Sequence, residues 1–184
     1  MNRRIRWTVE AAVMLALLVS LQTVTRPMGQ LVTGSCVNAV LAVSALAGGL
    51  SCGLTVALFS PVLAFLLGIA PQILTVPAIM AGNCVFVVLL SLIADKNRKN
   101  VLRQVAACVG SAAVKAAVLY AIVVQLICGA LSESLLASGV MKAPMLKVLP
   151  VTFGWPQLAT ALAGSALGLV IVPVLRKALN RQSS

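Results

Sequence analysis

Six runs of predominantly apolar residues follow one another along the chain, separated by short polar or Gly/Pro-rich breaks. Each is about 20 residues long, the length at which an α-helix rising ~1.5 Å per residue crosses a ~30 Å hydrocarbon layer. The runs do not alternate polar and apolar residues as barrel strands do, so helices are the expected spanning form. Of 184 residues, 61% are hydrophobic and 9% charged. A soluble domain carries about a quarter charged residues, and a buried core does not account for that shortfall. The pattern therefore predicts an all-α integral membrane protein of one membrane domain over residues 1–184, with helices at about 7–25, 30–47, 50–68, 74–94, 105–128 and 156–175. Breaks fall at "RPMG", at Gly48 and Gly49, at "IAPQILTVP" and at "DKNRKNVLRQ". A long connection, "GALSESLLASGVMKAPMLKVLPVTFGW", separates the last two helices. No internal repeat is evident, which gives no support to an inverted-repeat carrier.

The net charge of +11 could be taken for a nucleic-acid surface, but the positions of the cations argue against it. Arg3, Arg4 and Arg6 precede the first run; Lys96, Arg98, Lys99 and Arg103 follow the fourth; Arg176, Lys177 and Arg181 follow the sixth. Six helices put all three clusters on one side, the positive-inside pattern, which places both termini in the cytosol. No nucleic-acid partner is expected, and the bilayer is the partner that composition demands. The N-terminal "MNRRIRW" lacks a following A-x-A-like cleavage site, and Glu10 interrupts its apolar start, so the first run is expected to remain as a helix.

Catalytic chemistry is hard to assemble. The chain has no histidine, its three acids (Glu10, Asp95 and Glu133) lie in different segments, and neither G-x-S-x-G nor H-E-x-x-H occurs. Cys36, Cys52, Cys84, Cys108 and Cys128 are scattered without a C-x-x-C and read as small membrane hydrophobes, not as metal ligands. No catalytic residue, metal or cofactor is expected. The phosphate-binding G-x-x-x-x-G-K-[ST] is also missing, and no carboxylate sits at mid-depth to couple an ion. Any transport would draw its energy from another subunit.

One cation contradicts the apolar pattern. Lys115 lies near mid-depth in "GSAAVKAAVLYAIVVQ". Asn38 is roughly 12 Å inward from the start of the second run and Asn83 about 9 Å inward from Pro77. A lysine side chain reaches several Å along its helix, so its amine meets the level of both asparagines if the helices adjoin. Gln125 and Gln157 fall near the outer rim, with Thr33, Ser35, Ser60 and Tyr120 close in depth, and Arg26, Gln72 and Lys142 in the outer segments. Together they outline a polar pocket open to the outside. Each has a second reading. The asparagines also serve as interhelical hydrogen-bonding groups, Ser60-Pro61 as a plain kink, and Phe153 and Trp155 as interfacial aromatics instead of groups closing over a ligand. Lys115 is left with three partners to choose from: an anionic or acceptor-rich ligand, helix carbonyls, or the asparagines. Arg26, Lys115, Lys142 and Lys147 outnumber Glu133 in the outer half, which favours a ligand bearing a carboxylate or another acceptor-rich group. On the first helix, Ala12 and Ala16 form a small-xxx-small pair with Ala11 beside them, a spacing that serves close approach of a helix, whether from this chain or from a partner.

The block Thr25–Asn83, "TRPMGQLVTGSCVNAVLAVSALAGGLSCGLTVALFSPVLAFLLGIAPQILTVPAIMAGN", resembles the substrate-specific components (S components) of bacterial energy-coupling factor (ECF) transporters. The resemblance implies a six-helix subunit of the bacterial cell membrane that captures a vitamin or similar micronutrient from outside. Its partners would be a transmembrane scaffold subunit and two ATPase subunits, with release by tipping of the S component in the membrane. It further implies that Ala12 and Ala16 meet the scaffold. The ligand would lie in the outer half, under Arg26 to Gln30, Ile69 to Pro77 and the segment around Lys142 to Trp155. Lys115, Asn38, Asn83, Arg26, Gln72, Gln125, Gln157, Tyr120 and Trp155 are the candidate substrate-binding residues in this chain. The competing expectation is a membrane scaffold or assembly protein without a ligand, resembling the rod-shape MreD type. It accounts for the topology equally well but not for polar residues gathered at one depth.

Overall fold

The structure, a computed structural model, describes residues 3–69, 72–94 and 100–181. Ala70, Pro71 and the charged stretch 95–99, with Lys96, Arg98 and Lys99, lie outside the described residues. Among the described residues every regular element is helical. These are α1 (Arg3–Thr25), α2 (Gln30–Ala47), α3 (Leu50–Leu66), α4 (Val76–Ile93), α5 (Val101–Leu119), α6 (Ser132–Ala137), α7 (Met145–Phe153) and α8 (Trp155–Arg181). Five stretches are long and apolar enough to cross a membrane: Trp7–Met28, Gln30–Ala47, Ile73–Ile93, Val101–Ala130 and Met145–Ala178. The 17-residue α3 is a shorter apolar helix. The chain is thus a bundle of apolar helices suited to a bilayer.

Local chemistry sets the helix ends. Gly29 turns the chain out of α1 at φ +88°, a conformation that side-chain-bearing residues rarely adopt. Pro77 sits in the first turn of α4, where its missing N–H costs nothing. Asn100 caps α5 by accepting from the backbone N–H of Arg103 at 3.1 Å. Two arginines close helix ends through bare carbonyls: Arg103 Nε donates to Ile93 O and Arg176 Nη2 to Leu46 O, each at 2.6 Å.

The frame of the bundle is the pair α2 and α8, which run parallel. Gly34 faces Thr160, Asn38 faces Gly164 and Ala42 faces Gly168, the same offset at three successive turns. A Cβ on Gly164 would stand 2.4 Å from Asn38 Cβ, and one on Gly168 2.5 Å from Ala42 Cβ. The spacing Gly164-x-x-x-Gly168 therefore acts as a small-residue seam that brings two backbones together. Helices α4 and α5 pack antiparallel, with Gly82 against Leu119 and Asn83 opposite Lys115.

Two apolar clusters fill the interior. One gathers Leu18, Leu41, Val56, Phe86, Val87 and Leu90. The other gathers Ala78, Leu119, Val123, Ile127, Leu149 and Phe153. The fifth apolar run extends beyond the expected 105–128 at both ends. Above Leu119 it continues as an unusual π-helical stretch, Tyr120–Ala130, marked by the bond from Leu131 N to Leu126 O at 2.9 Å. The long connection before the last helix is itself partly helical. Its α7 packs against the π-helical stretch and against α8, and so becomes a wall of the interior.

Candidate functional site

A cavity of about 210 Å³ opens at the end of the bundle that carries the α1–α2 turn. Arg26, Gly29 and Gln30 stand exposed at its mouth. Asn38, Ser60, Asn83 and Lys115 form its floor, with relative exposures of 1–3%. Four helices meet there: α2, α3, α4 and α5 each supply one of these four residues. The walls are apolar, with Val37, Pro61, Ile79, Leu119, Leu149 and Phe153 among them.

Lys115 Nζ donates to Asn38 Oδ1 at 2.5 Å and to Asn83 Oδ1 at 2.7 Å. It also lies 5.2 Å from the centre of the Phe86 ring. Two short bonds to amide oxygens and an aromatic face are the surroundings of an ammonium ion. The asparagines are themselves held. Asn38 Nδ2 donates to Gly34 O at 2.9 Å and approaches Thr160 Oγ1 at 3.4 Å, while Thr160 Oγ1 donates to Gln157 O at 3.2 Å. Gln157 Nε2 in turn donates to Thr152 O at 3.2 Å, fastening α7 to the start of α8. The floor is therefore anchored on α2, α4, α5 and α8 together.

Two floor atoms have no hydrogen-bond partner although they are buried: Asn83 Nδ2 and Ser60 Oγ. Gln22 Oε1, on a residue that also lines the cavity, is likewise unpartnered. Among the described residues no carboxylate lines the cavity. Buried polar groups are nearly always paired, so the two floor groups beside one ammonium are available to a ligand or a water.

Five of the nine candidates line this cavity: Lys115, Asn38, Asn83, Arg26 and Gln157. The other four do not. Tyr120 is 47% exposed and Trp155 69% exposed, Gln125 is exposed and Gln72 half-buried. Depth alone selects Tyr120 and Gln125, and the rotation of their helix turns them elsewhere, while Gln72 lies in the connection before α4. On the fifth run the buried stripe is Lys115, Leu119, Val123 and Ile127; Tyr120 and Gln125 fall off it. Trp155 follows the break at Gly154 and points out of the bundle, whereas Phe153, two residues earlier, is 5% exposed and lines the cavity. The sequence reading missed Val148, Leu149 and Thr152 of α7. Their signal was the helical spacing of apolar residues in "MLKVLPVTF", inside what reads as a connection. It also missed the Gly164–Gly168 seam, which stands openly in "AGSALG".

Ala12 and Ala16 occupy the exposed side of α1, together with Val9 and Val13, while Ala11 turns inward at 4% exposure. The pair is thus free of contact with the chain's own core. No family model, curated protein or solved structure matches the chain.

Proposed function

We propose that this chain is the substrate-binding membrane subunit of an ECF-type importer. It crosses the bacterial cell membrane six times, with α3 as the shortest span and both termini in the cytosol. It captures a vitamin or similar small micronutrient from outside and delivers it through a scaffold subunit and two ATPase subunits. The observation that carries the reading is the cavity floor: a buried Lys115 held by two asparagines, with Asn83 Nδ2 and Ser60 Oγ, on residues that line the same cavity, left without a hydrogen-bond partner. A ligandless assembly protein has no use for open donors at the bottom of a cleft. The cavity opens at the end opposite Arg103 and Arg176, and by the positive-inside pattern that end faces outward. Ala12 and Ala16, exposed one helical turn apart, offer a seat for a scaffold helix.

Affinity purification of the tagged full-length chain from its native membranes tests the reading. A scaffold subunit and ATPases should be recovered, with a small molecule released on denaturation. Recovery of neither overturns it in favour of the assembly-protein alternative.

A further inference from the structure

The reading of the cavity as a capture site leaves the class of ligand open, and the floor restricts it. Lys115 uses two N–H groups on the amide oxygens of Asn38 and Asn83. Both are neutral acceptors, so they hold the ammonium in place without cancelling its charge. Among the described residues no carboxylate lines the cavity to do so. A buried charge without a counter-charge is costly, and what lies beside this one is a set of donors. Asn83 turns its oxygen to Lys115 and therefore its Nδ2 the other way, where it has no partner, and Ser60 Oγ has none either. The third ammonium N–H, the Asn83 amide and the Ser60 hydroxyl make three donors around a single positive charge. That set suits two oxygens sharing one negative charge. At the floor a phosphate dianion would leave half its charge uncompensated, and a cation would meet the like charge of Lys115.

Size sets the second limit. At about 210 Å³ the cavity falls below the ~300–1,000 Å³ of pockets for drug-sized molecules. The walls above the floor are mostly apolar, with Val37, Pro61, Ile79, Leu119, Leu149 and Phe153 against a few polar side chains such as Gln22, Thr33 and Thr152. Arg26, exposed at the mouth, adds a second positive charge on the way in.

We infer that the cavity takes a compact monocarboxylate, with an apolar body against α7 and its carboxylate on Lys115, Asn83 and Ser60. This rests on the capture reading, and the two can fail separately. The full-length protein in detergent is titrated calorimetrically with benzoate, cyclohexanecarboxylate, 3-methylbutanoate and 3-pyridinecarboxylate, each beside its own primary amide. At least one acid should bind tenfold or more tightly than its amide. Ser60→Ala should weaken that acid without weakening the amide. Asn83→Asp, which places a counter-charge next to Lys115, should abolish acid binding while the protein still folds, as read by its melting temperature. Amides binding as well as acids throughout, or Asn83→Asp retaining acid binding, overturns the inference. Mass spectrometry of molecules released from the natively purified protein separates the two claims. A released monocarboxylate supports the class, and a phosphorylated molecule overturns it. A neutral or cationic molecule overturns that class and leaves capture standing. No released molecule, no bound probe and no recovered ATPases overturn both.

Discussion

Replacing Gly164 with alanine tests how closely α2 and α8 must approach for the floor to form. The added Cβ would lie 2.4 Å from Asn38 Cβ, 2.7 Å from the backbone nitrogen of Ala39 and 2.8 Å from the carbonyl carbon of Asn38. None of these atoms is the end of a flexible side chain, so the helices must part by about 1 Å to restore ordinary contact of ~3.5 Å. Overpacking of this kind costs ~1–3 kcal/mol, and the rigid neighbours put it at the upper end. In water the helix preference of alanine over glycine would offset up to ~1 kcal/mol. Inside a bilayer the chain must satisfy its backbone bonds as a helix before and after the helices associate, so that offset shrinks. Gly110 on α5 is the control, because a Cβ there meets only Ile93 Cδ1, at 3.8 Å. Thermal unfolding of the detergent-solubilised protein should show Gly164→Ala melting about 5–10 °C lower, from ~2–3 kcal/mol at ~2–4 °C per kcal/mol for a chain of this size. Gly110→Ala should stay within about 2 °C of the parent protein. Because Asn38 carries the contact, Gly164→Ala should also weaken ligand binding by drawing Asn38 Oδ1 away from Lys115. Equal melting temperatures for the two variants would refute the close-approach argument, whatever happened to binding.

Three further outcomes follow from the placement of side chains. In a binding assay with the natively released ligand, Lys115→Ala should lower affinity by tenfold or more, whereas Ala12→Leu should leave affinity unchanged and reduce recovery of scaffold and ATPase subunits. Tyr120→Phe and Trp155→Ala alter side chains that are 47% and 69% exposed, so both should bind ligand within about twofold of the parent, the ~0.5 kcal/mol range of surface substitutions. The combined variant Asn38→Leu, Asn83→Leu and Lys115→Met should melt no lower than the parent while losing ligand binding entirely, read by the same melting curve and by calorimetry.

What the sequence made legible and what it hid divide along one physical line. Position along a helix is fixed by counting at ~1.5 Å per residue, and that count brought Asn38, Asn83 and Lys115 to one level from three separate runs. Rotation about a helix is normally read from where polar residues stop. In lipid that contrast vanishes, because the outside is as apolar as the core. Val13 at 56% exposure and Leu18 at 0% differ in surroundings and not in chemical type. Hence the count gives a depth for Tyr120 and Gln125 but not a side, and both stand exposed and off the cavity lining. The π-helical stretch above Leu119 compounds this, since its wider turn changes the rotation of every residue that follows. Glycine escapes the ambiguity. The spacing of Gly164 and Gly168 marks a face by the absence of side chains and needs no polar contrast to be seen.

Energetics bears on two uses of the same three residues. If Lys115, Asn38 and Asn83 served only to fasten helices, their bonds should outweigh the burden of a lysine at mid-depth. Hydrogen bonds between helices in membranes average ~0.6 kcal/mol and reach ~1.7 at most. Lys115 makes two of them, which gives about 1 kcal/mol and at most ~3.4. Placing a lysine at the centre of a spanning helix costs ~2.5–3.5 kcal/mol. The contact with the Phe86 ring adds ~0.5–2 kcal/mol in its favour, so the trio comes out near zero as a fastener. Ser60 Oγ and Asn83 Nδ2 tip the balance further, because each is buried and open and such a group costs ~1–3 kcal/mol. A floor assembled for stability would have closed both groups on a neighbour. One assembled to receive an anion gains its stability only when the anion arrives, which is why removing all three polar residues is expected to spare the fold and end the binding.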